Sequence, residues 1–512
     1  MHLKPNHPSA ASAGRTLIGF NIVHGREVEG DLGLIESRSA IDSRDVVGLF
    51  PDSGAKDVER AAKAAADAFA GWSRTTAKVR LKLMERLGAI LADQQVRLAR
   101  VITRETGFTP REALAEVALA REACQELGAL GSKPFAAKPG GDGRQVLRRP
   151  LGVTGILSSQ TSPLALPSRK LLAAIHFGNT VVWKPSDGAP STAYLFLRAL
   201  QEAGMPPGVV NTVNGKGRGG CGKHFLAGIE KGFFQVFCFA GSVDLGRSVG
   251  ELCGRHLVPA DLEASGRNTM TVLEDADLEA AVATALADAF AAAGQRGSSL
   301  GNILLHRGVA ARFTERFLAA AAVLRTGNPL SHPEVAFGPL LNHRFAEAFR
   351  HHWEKGRVEG AQLAFGGLQW SEENRTERVE GEIAKGAYVQ PCVWTGVTPE
   401  MSLFRHEVYG PTVNLVQVDS FDAALNLVNR SPRGRACSLF SADRGRTQAF
   451  KTEARTPAIS INAPLGTAGP LAPETWTRPH LVLDEGLAGT GTPADPVVAT
   501  MPLPVDWDAL DA

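Results

Sequence analysis

The chain has 512 residues, 44% of them hydrophobic, with 54 glycines and 30 prolines, which is enough apolar material for large cores in two or three domains. Fifty-five basic against 53 acidic side chains leave a formal charge of +2 without a basic block interleaved with aromatics, which speaks against a nucleic-acid surface and for small-molecule partners. Cys124, Cys221, Cys238, Cys253, Cys392 and Cys437 are scattered without disulfide or metal-ligand spacing, as suits a reducing compartment.

The N-terminal stretch MHLKPNHPSAASAGR lacks the apolar core of a signal peptide, and no run is long and apolar enough to span a bilayer. The expected location is therefore the cytoplasm, with no membrane partner, and residues 1–16 are expected to be a disordered tail. From Asp57 a helix is predicted with Val58, Ala62, Ala65 and Phe69 on one face; after Gly71 and Trp72 a second carries Leu83, Leu87, Ile90, Leu91, Leu98 and Val101. The stretch KPFAAKPGGDGRQVLRRP then interrupts the helical pattern and reads as an exposed hairpin or linker. Strands are predicted over 152–157, 180–183, near Val209 and over 236–239, with helices over 163–175 and 191–203 between them. Strands alternating with helices of this length argue a parallel, doubly wound sheet. Beyond Glu263 a second alternating region starts with an Ala-rich helix over 278–292 and runs to about Ala463, while the Pro-, Gly- and Thr-rich segment after Pro464 reads as a tail or arm that needs a partner surface.

Several ordered motifs carry chemistry. Residues 150–187 read PLGVTGILSSQTSPLALPSRKLLAAIHFGNTVVWKPSD; GMPPGVVN, FAGSVDLGR, DLEASGRN, HEVYGP and ISIN follow in that order, and AFAAAGQRGSS lies between Ala289 and Ser299. Phe239-Ala240-Gly241-Ser242 joins a strand to a helix, where free backbone N–H groups and the helix dipole favour a phosphate. Lys184, at the carboxyl end of its strand, can donate to ribose hydroxyls while Asp187 accepts from them. Singly, such features are more often structural; it is their order that argues for function.

From about Phe20 to Asn462 this order resembles the aldehyde dehydrogenase superfamily. The resemblance implies an aldehyde-dehydrogenase-like α/β fold: a Rossmann-type nucleotide-binding domain (17–132 and 151–262), a second, catalytic-type α/β domain (263–484) and a small oligomerisation element (133–150 and 485–512). It implies NAD or NADP as cofactor, an aldehyde as substrate, and a homodimer or tetramer, with a heteromeric partner left open. Lys184 and Asp187 would face the adenine ribose, Ser186 between them would belong to the cofactor site, Gly241 and Ser242 would face the phosphates, and Glu407 the nicotinamide ribose. Lys216 and Arg218, in the loop GKGRGGCGKHF, either meet a 2′-phosphate or form a solvated basic loop.

The family's chemistry needs a thiolate to attack the carbonyl, donors for the oxyanion, a hydride acceptor, and a carboxylate to activate water against the thioester. By resemblance Glu263 is that carboxylate and Lys170 the lysine following the active-site loop, but Gly297 stands at the cysteine position of F-x-x-x-G-Q-x-C, Thr161 at the oxyanion asparagine and Asn302 at a further arginine. Ser298 is a weak substitute, because a hydroxyl needs an adjacent base and a one-residue shift redirects the side chain. Cys238 and Cys253 read as buried, and His351, His352, Cys221 and His224 read as surface histidines and a loop cysteine rather than metal ligands, so no metal is expected. The leading expectation is nucleotide binding without cysteine-based aldehyde oxidation. The alternatives are an oxidoreductase that uses Glu263 as base without a cysteine adduct, and a structural or partner subunit that binds no nucleotide.

Overall fold

The structure, a computed structural model, describes residues 16–136, 138–139, 144–264, 266–367, 369–431, 434–466 and 473–483. The expected arm at 485–512 and all but the last residue of the expected N-terminal tail lie outside them.

Five strands form a wholly parallel sheet in the order Val210–Thr212, Thr180–Lys184, Val153–Leu157, Val236–Gly241, Ala260–Ala264. The central pair Val153–Leu157 and Thr180–Lys184 is buried at every position, as a sheet covered on both faces requires. Alternation then sorts side chains between two cores. Ile156, Val181, Trp183 and Cys238 join one with the helices Ala77–Asp93, Gln95–Thr106, Pro110–Leu130, Ala165–His176 and Pro190–Glu202, whereas Leu157, Val182, Phe237 and Phe239 join the other with Ala55–Ser73, Cys221–Glu230 and Val243–Arg255. The chain lays strands outward from Val153–Leu157 on one side and then returns to its other side with Val236–Gly241, so the sheet's switch point lies between these two strands.

Seven strands form the second sheet in the order Gln362–Gly366, Cys392–Thr395, Thr412–Val418, Leu300–His306, Asn268–Val272, Ala436–Phe440, Ala458–Ile461; only the Gln362–Gly366 pairing is antiparallel. Its core takes in Phe290, Phe313, Phe317, Trp394 and Leu415.

Several expectations are corrected. The periodic run through Leu83 and Val101 is two helices broken at Gln94, which closes the first by donating its N–H to the Ile90 carbonyl at 2.9 Å. The Ala-rich helix ends at Phe290 and continues as a 3₁₀ turn, Ala291–Gly294. The glycine-rich loop is shorter than expected, since Cys221 opens a helix and is buried. Beyond Pro464 the chain is more than an arm: Thr477–Leu483 pairs antiparallel with Arg144–Pro150, which also pairs with Lys138–Pro139. Trp476, just before Thr477, is buried in the first domain's core.

Asp288 on the helix Leu278–Phe290 ties down the far end of the second domain by accepting the Leu465 N–H at 2.9 Å. Burial pushes its carboxyl up to about 6, against the pull of that N–H. Between the unfolded value of 3.8 and about 6 the folded chain holds a proton that the unfolded chain has released, so this contribution to stability is present below 3.8 and is lost as the pH rises through 6. Asp288→Asn removes the ionised form and should stabilise the protein by ~1–3 kcal/mol above pH 7 and by nothing near pH 4. Denaturation midpoints at the two pH values check this; an equal shift at both refutes it.

Candidate active site

At the switch point the carboxyl ends of the strands open into a cleft of about 1520 Å3, with Leu157 to Thr161 on one wall and Phe239 to Ser242 on the other. The helix Val243–Arg255 starts at this wall. Its N-cap Ser242 is extended (φ −66°, ψ 151°) and makes no side-chain cap, so the first-turn N–H groups have no competing hydroxyl and the positive end of the helix dipole points at the cleft. The same two strands that the sequence singles out therefore build a place for an anionic group.

Lys184, Ser186 and Asp187 line the floor next to Lys216 and Arg218. The Lys184 side chain is 1% exposed and its Nζ donates to the Pro185 carbonyl at 2.9 Å. Burial pushes this amine down, against the pull of Asp187, Cys221 and Asp52. Asp187 accepts the Gly217 N–H at 3.0 Å, which closes the Lys216–Arg218 loop over the end of its strand, and Ser186 Oγ accepts from Gly188 at 3.2 Å. The side chains of Lys216 and Arg218 are exposed at the rim.

The opposite rim was not foreseen. His352, expected on the surface, lines the cleft with Phe345 and Tyr409, whose rings meet edge to face at 5.7 Å. Burial pushes the His352 imidazole down to about 4, helped by Arg267, and leaves its Nδ1 without a hydrogen-bond partner. Arg267 itself is 4% exposed, and burial pushes its guanidinium down to about 10 against the pull of Glu407.

The segment ending at Gly297 is held from several sides. Ala292 and Ala293 are both left-handed (φ 53°), a conformation that costs each residue about 1 kcal/mol and that the surroundings must impose. The buried Glu112 carboxylate accepts the Ala292 N–H at 2.6 Å; Gln295 donates to the Ala292 carbonyl at 3.0 Å and accepts from Leu341 at 2.9 Å. Arg296 lies over the Phe108 ring and 3.8 Å from Glu116, whose carboxylate also accepts the Leu164 and Ala165 N–H groups at the start of the helix that carries Lys170. Asn268 completes the frame: its Nδ2 donates to the carbonyls of Gly297 and Ser299, both at 3.0 Å, and its Oδ1 accepts from Arg435 (2.9 Å) and Ala436 (3.0 Å).

Lys170 and Glu263 come together, with Nζ to Oε1 at 2.6 Å, and Lys170 also pairs with Asp261 at 2.7 Å. The other Glu263 oxygen is paired with the Arg435 guanidinium, a residue that the sequence did not single out. Burial opposes charge on Glu263 and on Lys170, yet Lys170 and Arg435 together hold the Glu263 carboxyl below its usual range, and the Lys170 amine is held above its own by Glu263 and Asp261. Thr161 lines the cleft and shares a hydrogen bond with Ser159 at 2.8 Å. Asn302 is buried, with its Nδ2 donating to the Phe404 carbonyl and its Oδ1 accepting from Asn414, so it serves the second sheet. Ser298 lies in the turn between the 3₁₀ turn and the strand Leu300–His306, half-buried. Cys238 and Cys253 are buried, and burial pushes Cys238 well up and Cys253 up to about 11. Among the described residues no three His, Cys, Asp or Glu side chains cluster as metal ligands, and no helix is long and apolar enough to cross a membrane.

Two α/β domains, with a cleft at the switch point of the first and a tightly framed loop leading into the sheet of the second, define a dehydrogenase-type architecture. The chain belongs to the aldehyde dehydrogenase family, whose model matches residues 29–473. It is 31% identical over 453 residues to an alpha-ketoglutaric semialdehyde dehydrogenase of Bacillus subtilis, covering 87% of this chain and 89% of that one. It is 32% identical over 410 residues to the succinate semialdehyde dehydrogenase [NAD(P)+] Sad of Escherichia coli, covering 80% and 84%. Among solved structures it superposes on an NAD-dependent aldehyde dehydrogenase from Sinorhizobium meliloti with a TM-score of 0.85 and 26% identity, over 95% of this chain and 98% of that one.

Proposed function

We propose that this chain is a nicotinamide-nucleotide-binding member of its family that has lost cysteine-based aldehyde oxidation. The observation that carries the reading is Gly297: the loop around it is fixed by Glu112, Gln295, Glu116 and Asn268, yet the residue at the family's nucleophile position has no side chain. The cofactor half rests on the uncapped turn at Ser242, on Lys184 and Asp187 in the cleft, and on relatives whose names include NAD(P)+ and NAD dependence. When bound, the nucleotide supplies the hydride acceptor. Lys184, Ser186 and Asp187 would hold its adenine ribose, the Gly241 and Ser242 backbone its phosphates, and Glu407 the second ribose.

In this reading residues 17–132 and 151–262 form the nucleotide-binding domain and 263–466 the catalytic-type domain, because Trp476 packs in the first core and Thr477–Leu483 pairs with Arg144–Pro150 instead of with the second sheet. The strands Lys138–Pro139, Arg144–Pro150 and Thr477–Leu483 offer a sheet for assembling a dimer or tetramer in the cytoplasm; the turn of the expected hairpin, 140–143, lies outside the described residues. Thr161 and Ser298 do not replace the lost thiol: the Thr161 hydroxyl is engaged with Ser159, and a Ser298 hydroxyl, displaced by one residue from the nucleophile position, would need an adjacent base to lose its proton. A cysteine-free hydride transfer with Glu263 as base is disfavoured by the cation on each of its oxygens.

Calorimetric titration with NAD+ and NADP+, followed by NAD(P)H absorbance with aliphatic, aromatic and semialdehyde substrates, tests both halves. We expect at least one nucleotide to bind and no aldehyde to be oxidised. Sustained turnover by the unmodified protein overturns the catalytic half, and failure to bind either nucleotide overturns the cofactor half.

A further inference from the structure

Loss of the thiol explains why the site would not acylate, but it leaves Glu263 without a reason for its surroundings. Glu263 is the penultimate residue of the edge strand Ala260–Ala264 of the first sheet, Lys170 comes from the helix Ala165–His176, and Arg435 precedes the strand Ala436–Phe440 of the second sheet. The Arg435–Glu263 pair thus bridges the two domains, between residues 172 apart in sequence. Its place relative to residue 297 is fixed by one side chain: the amide of Asn268 accepts the backbone N–H of Arg435 on one end and donates to the Gly297 carbonyl on the other. Glu263 is 17% exposed in its side chain and meets a cation through each oxygen, Lys170 through Oε1 and Arg435 through Oε2.

We propose that Arg435 is a positioning residue that clamps the Glu263 carboxylate against Lys170, so that the site lacks an available water-activating base independently of what stands at residue 297. A water-activating carboxylate must turn one oxygen to the water and accept its proton as the new C–O bond forms. Here Oε2 is spent on a guanidinium brought in from the other domain, and protonating it would strand that cation in a half-buried place. The inference rests on the reading of Gly297 given above, which removes the nucleophile; the clamp removes the base as well.

The test supplies the thiol and bypasses the nucleotide. In Gly297→Cys, the introduced thiolate attacks the carbonyl carbon of p-nitrophenyl acetate and p-nitrophenolate leaves with the electron pair, which gives an acetyl thioester. Water then attacks that carbonyl, its proton passes to a base, and the thiolate leaves as acetate forms. We expect a burst of about one nitrophenolate per site followed by slow deacylation. Adding Arg435→Met should free Glu263 and speed deacylation by ~10²-fold with the burst unchanged, and Arg435→Lys, which keeps a cation, should not. Glu263→Gln should leave deacylation of Gly297→Cys unaltered but abolish the gain from Arg435→Met. A tenfold or greater slowing by Glu263→Gln in Gly297→Cys alone overturns the clamp even where Arg435→Met fails to fold. Equal deacylation with and without Arg435→Met also overturns it. Because no nucleotide takes part, failure of the cofactor reading leaves this result untouched, and hydrolysis of the ester by the unmodified protein at residues other than 297 is subtracted as background.

Discussion

Gly294→Ala is expected to destabilise the protein by ~4 kcal/mol or more, or to displace the loop that follows it. Gly294 sits at φ 67°, and a Cβ there would lie 2.1 Å from the Gly410 carbonyl oxygen, 2.6 Å from its carbon and 2.9 Å from Pro411 Cα. The left-handed conformation alone would cost alanine only about 1 kcal/mol. The collision is the larger effect, since every atom it meets is backbone and no rotamer change relieves it. Gly410 cannot retreat easily either, because its own Cα is packed against the Phe349 ring, and its N–H reaches back to the Gly294 carbonyl at 3.4 Å. Two motifs more than a hundred residues apart, G-Q-R-G and E-V-Y-G-P, are thus in backbone contact, and Glu407 belongs to the second. Gly294→Ala should therefore weaken nucleotide binding together with folding. Ala292→Gly and Ala293→Gly provide the contrast: both positions already have φ 53°, so glycine relieves strain and each variant should remain within ~1 kcal/mol of the parent. Denaturant midpoints for the three variants decide the matter, and a Gly294→Ala midpoint equal to that of the parent sinks the argument.

The division between what the sequence exposed and what it hid follows from range. Alternation of short apolar runs with amphipathic helices is local, so four of the five strands of the parallel sheet and the phosphate-type turn at Ser242 can be placed from the residues themselves, whereas the half-exposed edge strand Ala260–Ala264, which carries Glu263, lacks an apolar run and escapes that reading. The ordered motifs carried the family and the position of Gly297. Thr109-Pro110 followed by Glu112 is a further local signal, a capping box with proline at the first helical position, and it opens the helix Pro110–Leu130. The break at Gln94 left no trace in periodicity, because both helices keep their apolar faces toward one core. Long-range polar pairing was beyond reach. Nothing around Arg435 indicates that it meets Glu263, and the buried carboxylates Glu105, Glu112 and Glu116 look like ordinary helix-surface residues until their N–H partners are seen. His352 reads as a surface residue for the same reason: the cleft wall it joins is assembled from segments distant in sequence.

Asn268 shows how much of the site depends on one such residue. It is fully buried, and its amide meets four backbone groups, the carbonyls of Gly297 and Ser299 and the N–H groups of Arg435 and Ala436. Each group left buried and unpaired costs about 1–3 kcal/mol, so Asn268→Ala should lower stability by ~4–6 kcal/mol after allowing for water entering the gap. Asn268→Asp separates the two ends of the amide. It keeps acceptors for Arg435 and Ala436 but sets carboxylate oxygen against the Gly297 and Ser299 carbonyls, so the second sheet should hold at that point while the 297–299 loop is released. The expected signature is faster hydrogen exchange confined to residues 295–300 in Asn268→Asp and spread over both the loop and the strand Ala436–Phe440 in Asn268→Ala. The same exchange pattern in both variants would mean that the amide does not act as the joint between Arg435 and Gly297. In that case the clamp on Glu263 and the loop at residue 297 would be independent features of the fold rather than one frame.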